Sequence, residues 1–305
     1  MMLPVRYLNN DEIKELLSVE ETIVVMEDLF KDLSDCQMPP KVYLDIPNGD
    51  FRAMPAVVKN TAGIKWCGVH LNEGRTKRKV NIFAKVIIND VATGKLLLLM
   101  DAEALTAIRT AAVTGLATKY ISGGSSEVAS FIGCGNQTKY QIEAILNVRD
   151  IKLIKLYDLD ITQAEKMAEH FDNTVVCDSV KDCVEDADII TSLTPSRVPF
   201  LEYGWLKENS HINAVGADAE GKREMRPSIL TGVGVVVYDE WEQCSHSGEI
   251  QYLDEVNSNA KLSSLEDIVS HKKIDLINGN GITMFDATGL AIEDVAAARC
   301  VYEKL

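Results

Sequence analysis

Val128-Ala129-Ser130-Phe131-Ile132-Gly133-Cys134-Gly135-Asn136-Gln137-Thr138 is an apolar run of strand length that breaks into the pattern G-x-G-x-x-T. A helix-period segment, Gln137 to Val148, opens directly behind it. In such a turn the first glycine permits a tight backbone path and the second lets a pyrophosphate approach the main chain. The helix start then offers free N–H groups and the positive end of its dipole. Asp158 closes the next strand 25 residues after Gly133, where a carboxylate would accept hydrogen bonds from the adenosine ribose hydroxyls. Asp158 and Asp160 put negative charge where a 2′-phosphate would lie, and no Arg stands beside them, so the pattern favours NAD over NADP. Thr138 replaces the usual Gly or Ala, and glycines at a strand end also serve as plain turn residues.

Outward from this turn the rhythm is strand, helix, strand. Lys152 to Tyr157, Val175-Val176 and Asp188 to Leu193 read as strands, with helices at Thr162 to Phe171 and Val180 to Val184. Further strands are expected at Ser210 to Val215, Val233 to Tyr238 and Ile282 to Phe285. This α/β alternation predicts a Rossmann-type, doubly wound parallel sheet with right-handed crossovers over residues 116–288. Before it, a capping-box pattern at Ser18 and Glu21 starts a helix near 19 to 34. Short β-rich runs at Lys41 to Ile46, Phe51 to Val58, Ile64 to Leu71, Val80 to Asn89 and Lys95 to Met100 are punctuated by Asn48-Gly49 and Thr93-Gly94, as antiparallel hairpins are. Residues 1–115 therefore read as a smaller α+β domain with antiparallel strands, completed by a closing helix from 289 to 305. An alanine-rich helix at 102 to 120 connects the two.

Composition narrows the function. The 305 residues carry a net charge of −15, with 46% hydrophobic and 25% charged residues, which is ordinary for a folded protein and repels nucleic acid and anionic lipid. The one basic run, Arg75, Lys77, Arg78 and Lys79, reads as a solvated loop. Seven cysteines without C-x-x-C, and five histidines without ligand spacing, give no disulfide framework and no metal site. The histidines are read as turn or surface residues. With no signal-peptide or membrane-length apolar stretch, a cytoplasmic protein is expected.

Six ordered segments carry more information than the glycine turn. They are Phe51-Arg52-Ala53-Met54-Pro55-Ala56, Gly63-Ile64-Lys65-Trp66, Leu105 to Ala112, His211 to Asp218 with Gly221-Lys222, Ser247-Gly248-Glu249-Ile250, and Phe285-Asp286-Ala287-Thr288-Gly289. Together they resemble the ornithine cyclodeaminase and mu-crystallin family, and Pro39-Pro40-Lys41-Val42-Tyr43-Leu44 resembles its archaeal alanine dehydrogenase branch. The resemblance implies a nicotinamide enzyme, a homodimer, acting on an L-amino acid or its oxo or imino acid. It assigns Arg52 to the substrate carboxylate, Lys65 and Asp218 to catalysis, and Arg109, Lys41 and Thr288 to the substrate pocket. To the NAD cofactor it assigns Arg109, Thr110, Gly133, Gly135, Asn136, Gln137, Asp158, Asp160, Thr194, Val215, Gly216, Asp218, Lys222 and Ala287.

Chemistry agrees with these roles, since an Arg fork suits a carboxylate and a Lys in a drier site near other cations has a lowered pKa. Taken singly, without the resemblance, Arg52 and Lys65 read first as surface ion pairs, and Asp218 would suit an ordinary turn. The expected activity is reversible conversion of L-alanine to pyruvate and ammonium. Ornithine cyclodeamination, reduction of a cyclic imine, and non-catalytic dinucleotide-dependent binding are the alternatives. Departures from the family pattern fall at Leu71, Asn72, the loop Gly74 to Lys79, Asn81 and Ala287.

Overall fold

The computed structural model describes residues 5–73, 78–273, 275 and 281–305, with the side chains of 71–81 left out. The departures at Leu71, Asn72, Gly74 to Lys79 and Asn81, and the basic run, therefore lie outside the described side chains. The chain divides into two compact units, residues 1–110 with 290–305, and residues 111–289.

The first unit contains β1 (Arg6–Leu8), α1 (Asn10–Leu16), α2 (Val19–Lys31), β2 (Cys36–Gln37), β3 (Val42–Ile46), β4 (Gly49–Val58), β5 (Thr61–Glu73), β6 (Arg78–Asp90) and β7 (Leu96–Asp101). Helix α3 (Glu103–Ile121) begins here and contains the boundary between the units. The sheet order is β1-β7-β6-β5-β4-β2, with β3 also paired to β4. All these ladders are antiparallel except β1 on β7. α1 was not foreseen; Asn9 and Glu12 form a capping box at its start.

The second unit runs β8 (Val128–Ile132), α4 (Thr138–Val148), β9 (Leu153–Tyr157), α5 (Ile161–Ala168), β10 (Thr174–Val176), α6 (Val180–Val184), β11 (Ile189–Ser192), β12 (His211–Ala214), α7 (Pro227–Gly232), β13 (Val235–Tyr238), α8 (Trp241–Ser247), β14 (Lys261–Ser264), α9 (Leu265–Val269) and β15 (Thr283–Asp286). A 3-10 turn, Glu249–Glu255, follows α8. Its eight strands lie β10-β9-β8-β11-β12-β15-β13-β14 and every ladder is parallel. One apolar layer, with Ile132, Ile190, Ile212 and Met284, covers one sheet face, and another, with Phe131, Ile142, Ile145 and Ile189, covers the other. A sheet buried on both faces by crossover helices is the doubly wound, Rossmann-type arrangement.

The expectation for the histidines needs one correction. His211 is buried in β12, with Nδ1 2.9 Å from Thr283 Oγ1 and Nε2 3.0 Å from Asn213 Oδ1. Asn213 Nδ2 donates onward to Thr118 Oγ1 at 3.0 Å. Burial pushes the imidazole down to about 4, so this histidine is a neutral member of a satisfied polar chain.

The last helix, α10 (Ala291–Glu303), belongs to the first unit and packs on β4, β5 and β6. Gly63 on β5 makes this possible. A Cβ there would lie 2.9 Å from Val295 Cγ2 and 2.9 Å from the Ile87 carbonyl oxygen. Gly63→Ala is expected to destabilise the protein by about 1–3 kcal/mol through overpacking against backbone. Urea unfolding of the variant beside the parent chain measures this, and equal stability would contradict it.

Candidate active site

In the first unit, β-sheet register decides which side chains meet. Cross-strand partners share a face, as do residues two apart. Arg52 lies opposite Cys67 and Met54 opposite Lys65, so Arg52 and Lys65 project from the same face of the β4–β5 pair. α10 packs on these strands and turns Asp294 toward Lys65, with Nζ 2.8 Å from Oδ2. Arg109 of α3 approaches the same carboxylate, its Nε 2.8 Å from Asp294 Oδ1, while its Nη1 lies 2.5 Å from Glu293 Oε2. All four side chains are at least nine-tenths buried. Lys65 and Arg109 are thus bound together through one shared carboxylate, away from water, which excludes the surface-pair reading for Lys65.

The electrostatics follow from this burial. Desolvation, against the pull of Asp294 and with Arg109 adding repulsion, lowers the Lys65 pKa below the ordinary lysine value. Burial opposes ionisation of Asp294, but Arg109 and Lys65 outweigh it and hold the carboxyl below the usual range. Burial likewise opposes the charge of Arg109, which Asp294 and Glu293 more than restore.

Arg52 is engaged by Asp50, Nε to Oδ1 at 2.6 Å and Nη2 to Oδ2 at 3.3 Å, and its guanidinium stands 5.4 Å from the Tyr43 ring centroid. Tyr43 pairs with Arg52 across β3 and β4, and Lys41 lies two residues before it, ahead of β3. Thr110 follows Arg109 on α3.

In the second unit the expected residues line the carboxyl edge of the parallel sheet. Ile132, Ser192, Ala214 and Asp286 are in register on β8, β11, β12 and β15. The segments that follow therefore emerge side by side, carrying Gly133, Thr194, Val215 with Gly216 and Asp218, and Ala287 with Thr288. Gly133 has φ +94°, which favours glycine. Gly135 is different, for a Cβ there would meet nothing within 4 Å. The chain's own packing gives no reason for glycine at 135, whereas a close-lying phosphate would. Asn136 is exposed beside it, and Gln137 gives no side-chain cap to α4, whose first turn is left to other partners. Asp158 follows β9, accepting from Cys134 N at 2.7 Å and Asp160 N at 2.8 Å. These residues fit an adenosine diphosphate moiety.

Asp218 and Lys222 form an ion pair, with Asp218 partly exposed, and Lys222 Nζ is 3.4 Å from the Gly216 carbonyl. Thr288 is tied inward, its N donating to Asp239 Oδ2 at 2.7 Å and its hydroxyl receiving Gln243 Nε2 at 2.5 Å. Among the described residues no three His, Cys, Asp or Glu side chains are grouped to hold a metal, and no helix is long and apolar enough to cross a membrane.

Glu293 and Asp294 were not foreseen as site residues. Their one sequence signal is that four positions on, where a helical cation partner would stand, the chain has Ala297 and Ala298. Asp239 and Glu224, buried behind Thr288 and Thr194, were missed as well.

The chain thus joins a Rossmann-type sheet with a glycine turn to an antiparallel unit, the two-part fold of a nicotinamide-dependent enzyme. This chain belongs to the ornithine cyclodeaminase/mu-crystallin family, whose model matches residues 6–305. It is 38% identical over 303 residues to the alanine dehydrogenase of Archaeoglobus fulgidus, covering 97% of this chain and 94% of that one. It is 32% identical over 273 residues to the ornithine cyclodeaminase of Agrobacterium tumefaciens, covering 87% and 75%. Among solved structures, an archaeal alanine dehydrogenase dimer with bound NAD superposes with a TM-score of 0.90 at 36% identity, covering 98% of this chain and 95% of that one.

Asp294→Asn strands the buried Lys65 and leaves Arg109 with Glu293 alone, at an expected cost of about 3–5 kcal/mol of stability, whereas Lys65→Met leaves Asp294 paired with Arg109 and costs markedly less. Denaturant unfolding of both variants gives the order, and a larger loss for Lys65→Met would refute the shared-carboxylate description.

Proposed function

We propose that this chain is an NAD-dependent L-amino-acid dehydrogenase that interconverts L-alanine, NAD and water with pyruvate, ammonium and NADH. The observation that carries the reading is the buried amine of Lys65, lowered in pKa and anchored beside Arg109 by Asp294. Such an amine exchanges protons more readily than an exposed lysine, which suits addition of water to an imine and collapse of the carbinolamine. The 38% identity to an alanine dehydrogenase supports alanine as the amino acid.

Arg52 takes the substrate carboxylate in a forked pair of hydrogen bonds, exchanging it for Asp50. Arg109, fixed by Glu293 and Asp294, adds positive charge that does not titrate. Asp218, paired with Lys222, moves a proton at the amine. Gly133, Gly135, Asn136 and Gln137 would hold the pyrophosphate of NAD, Asp158 and Asp160 its adenosine ribose, and Thr194, Val215, Gly216, Lys222 and Ala287 its nicotinamide half. When bound, NAD supplies the hydride acceptor.

The first unit, completed by α10, is the substrate and dimerisation domain in this reading, and the second binds NAD. The outer face of its antiparallel sheet exposes Leu44, Trp66 and Phe83, the last at 67%, and Phe51 stacks on Trp66 with centroids 5.4 Å apart. An apolar sheet face of this kind supports pairing with a second copy about a two-fold axis.

The 32% identity to an ornithine cyclodeaminase favours one second reading, in which the side-chain amine of ornithine attacks the imine and no net NADH forms. Absorbance of NADH with purified protein, ammonium and pyruvate separates the two. Ammonium-dependent loss of NADH is the expected result, and Arg52→Ala should lower kcat/KM by about a hundredfold or more while NADH binding persists. Ammonia release from ornithine with bound NAD, and no NADH consumption with any oxo acid, would instead establish the cyclodeaminase.

The pH profile gives a second test. Lys65 holds its proton only below its lowered pKa, so the amination rate falls as pH rises through a value below the ordinary ~10.4 of lysine. Asp294→Asn removes the anion that favours the ammonium form, and the falling limb of kcat/KM should move further toward acid. A limb unmoved in that variant would count against Lys65 as the proton donor.

A further inference from the structure

Glu224, Glu249 and Asp286 of the second unit are fully buried, and among the described residues none of them is seen paired with a Lys or Arg. Each accepts main-chain N–H groups from a different segment, and the segments form a sequence of links. Asp286, at the end of β15, accepts from Ile250 N at 2.8 Å. Glu249, beside Ile250, accepts from Glu224 N at 2.6 Å. Glu224 then accepts from Thr194 N at 2.7 Å and Thr194 Oγ1 at 2.6 Å with one oxygen, and from Gly216 N at 3.1 Å with the other.

The last link joins the segments that follow β11 and β12. These strands lie on the far side of β8 from Asp158, so in a doubly wound sheet they bracket the half of a dinucleotide opposite the adenosine. Glycine at 216 is part of the device, because a Cβ there would stand 2.3 Å from Glu224 Oε2 and 2.4 Å from the Thr194 carbonyl oxygen. Gly248 serves the first link in the same way, its added Cβ falling 2.4 Å from Asp286 Oδ2. Burying three carboxyls without cations costs free energy, and burial pushes all three upward in pKa. A fold that only needed to pack this region would have cheaper apolar solutions.

We propose that Glu224 is a positioning residue for the nicotinamide-ribose half of the dinucleotide, with Glu249 and Asp286 fixing Glu224 from behind. It clamps the Thr194 and Gly216 segments at one spacing and does not itself touch the cofactor. The proposal rests on the dinucleotide reading given above. Glu224→Gln keeps the acceptor for Thr194 but turns an amide donor toward Gly216 N–H, so one arm of the clamp is lost at constant shape.

The test compares NADH with ADP, which lacks the nicotinamide and its ribose, by titration calorimetry on the full chain, with thermal melting as a check on folding. Glu224→Gln should weaken NADH about tenfold and leave ADP within about twofold. Glu249→Gln, which alters the second link, should show the same preference at smaller size and serves if Glu224→Gln does not fold. Equal weakening of both ligands, or no weakening of either, would overturn the positioning role while leaving dinucleotide binding intact. Failure of the parent chain to bind either ligand would overturn the dinucleotide reading and this inference with it.

Discussion

One carboxylate governs the first unit. Asp294 meets Lys65 from β5 and Arg109 from α3, and no one of these segments could bury its charge alone. The cations sit where water is excluded, so the arrangement is stable only if α10 lies close on the sheet, and α10 can lie close only because Gly63 has no side chain. Packing and chemistry are therefore the same problem here. The contact that admits the helix also sets the pKa of the amine on the strand beneath it.

The second unit handles buried acids by other means. Glu224, Glu249 and Asp239 accept from main-chain N–H groups of segments beyond the strand ends. A carboxylate bonded to backbone restrains chain geometry, whereas one bonded to Lys or Arg chiefly tunes charge. The parallel sheet supplies the frame for this, because its strands end in register and release their following segments along one edge. Glycines at 216 and 248 then allow carboxyl oxygens to approach the main chain more closely than any side chain would permit.

Legibility in the sequence tracks periodicity. The strand and helix alternation from Val128 to Leu193, the hairpins of β4 to β7, and the glycine turn were all readable because each pattern repeats within a short window. The stretch between β12 and β15 was read only in part. α7, α8, α9 and β14 have four to seven residues each, too few for a period to show. His211 was misread for a related reason, since one imidazole in a short apolar run carries no local sign of the Thr283 and Asn213 partners that bury it. Arg52, Lys65 and Arg109 stood out through family motifs. Their carboxylate partners did not, because burial of Glu293 and Asp294 depends on a helix returning from the far end of the chain. Glu224 lay just beyond the Gly221-Lys222 motif, in a charged stretch with no local sign of the Thr194 and Gly216 partners that bury it.

That return of α10 sets an order of events during synthesis. Lys65 and Arg109 leave the ribosome long before Asp294, which is 185 residues beyond Arg109. At bacterial or eukaryotic elongation rates of ~5–20 residues per second, the interval is about 10–40 s. Throughout it the first unit has all its strands but lacks its last helix, so Lys65 and Arg109 have no Asp294 to bury them, while the second unit emerges whole. The first core is thus closed by a helix that follows the whole second unit in the sequence, so its completion waits on synthesis of that unit.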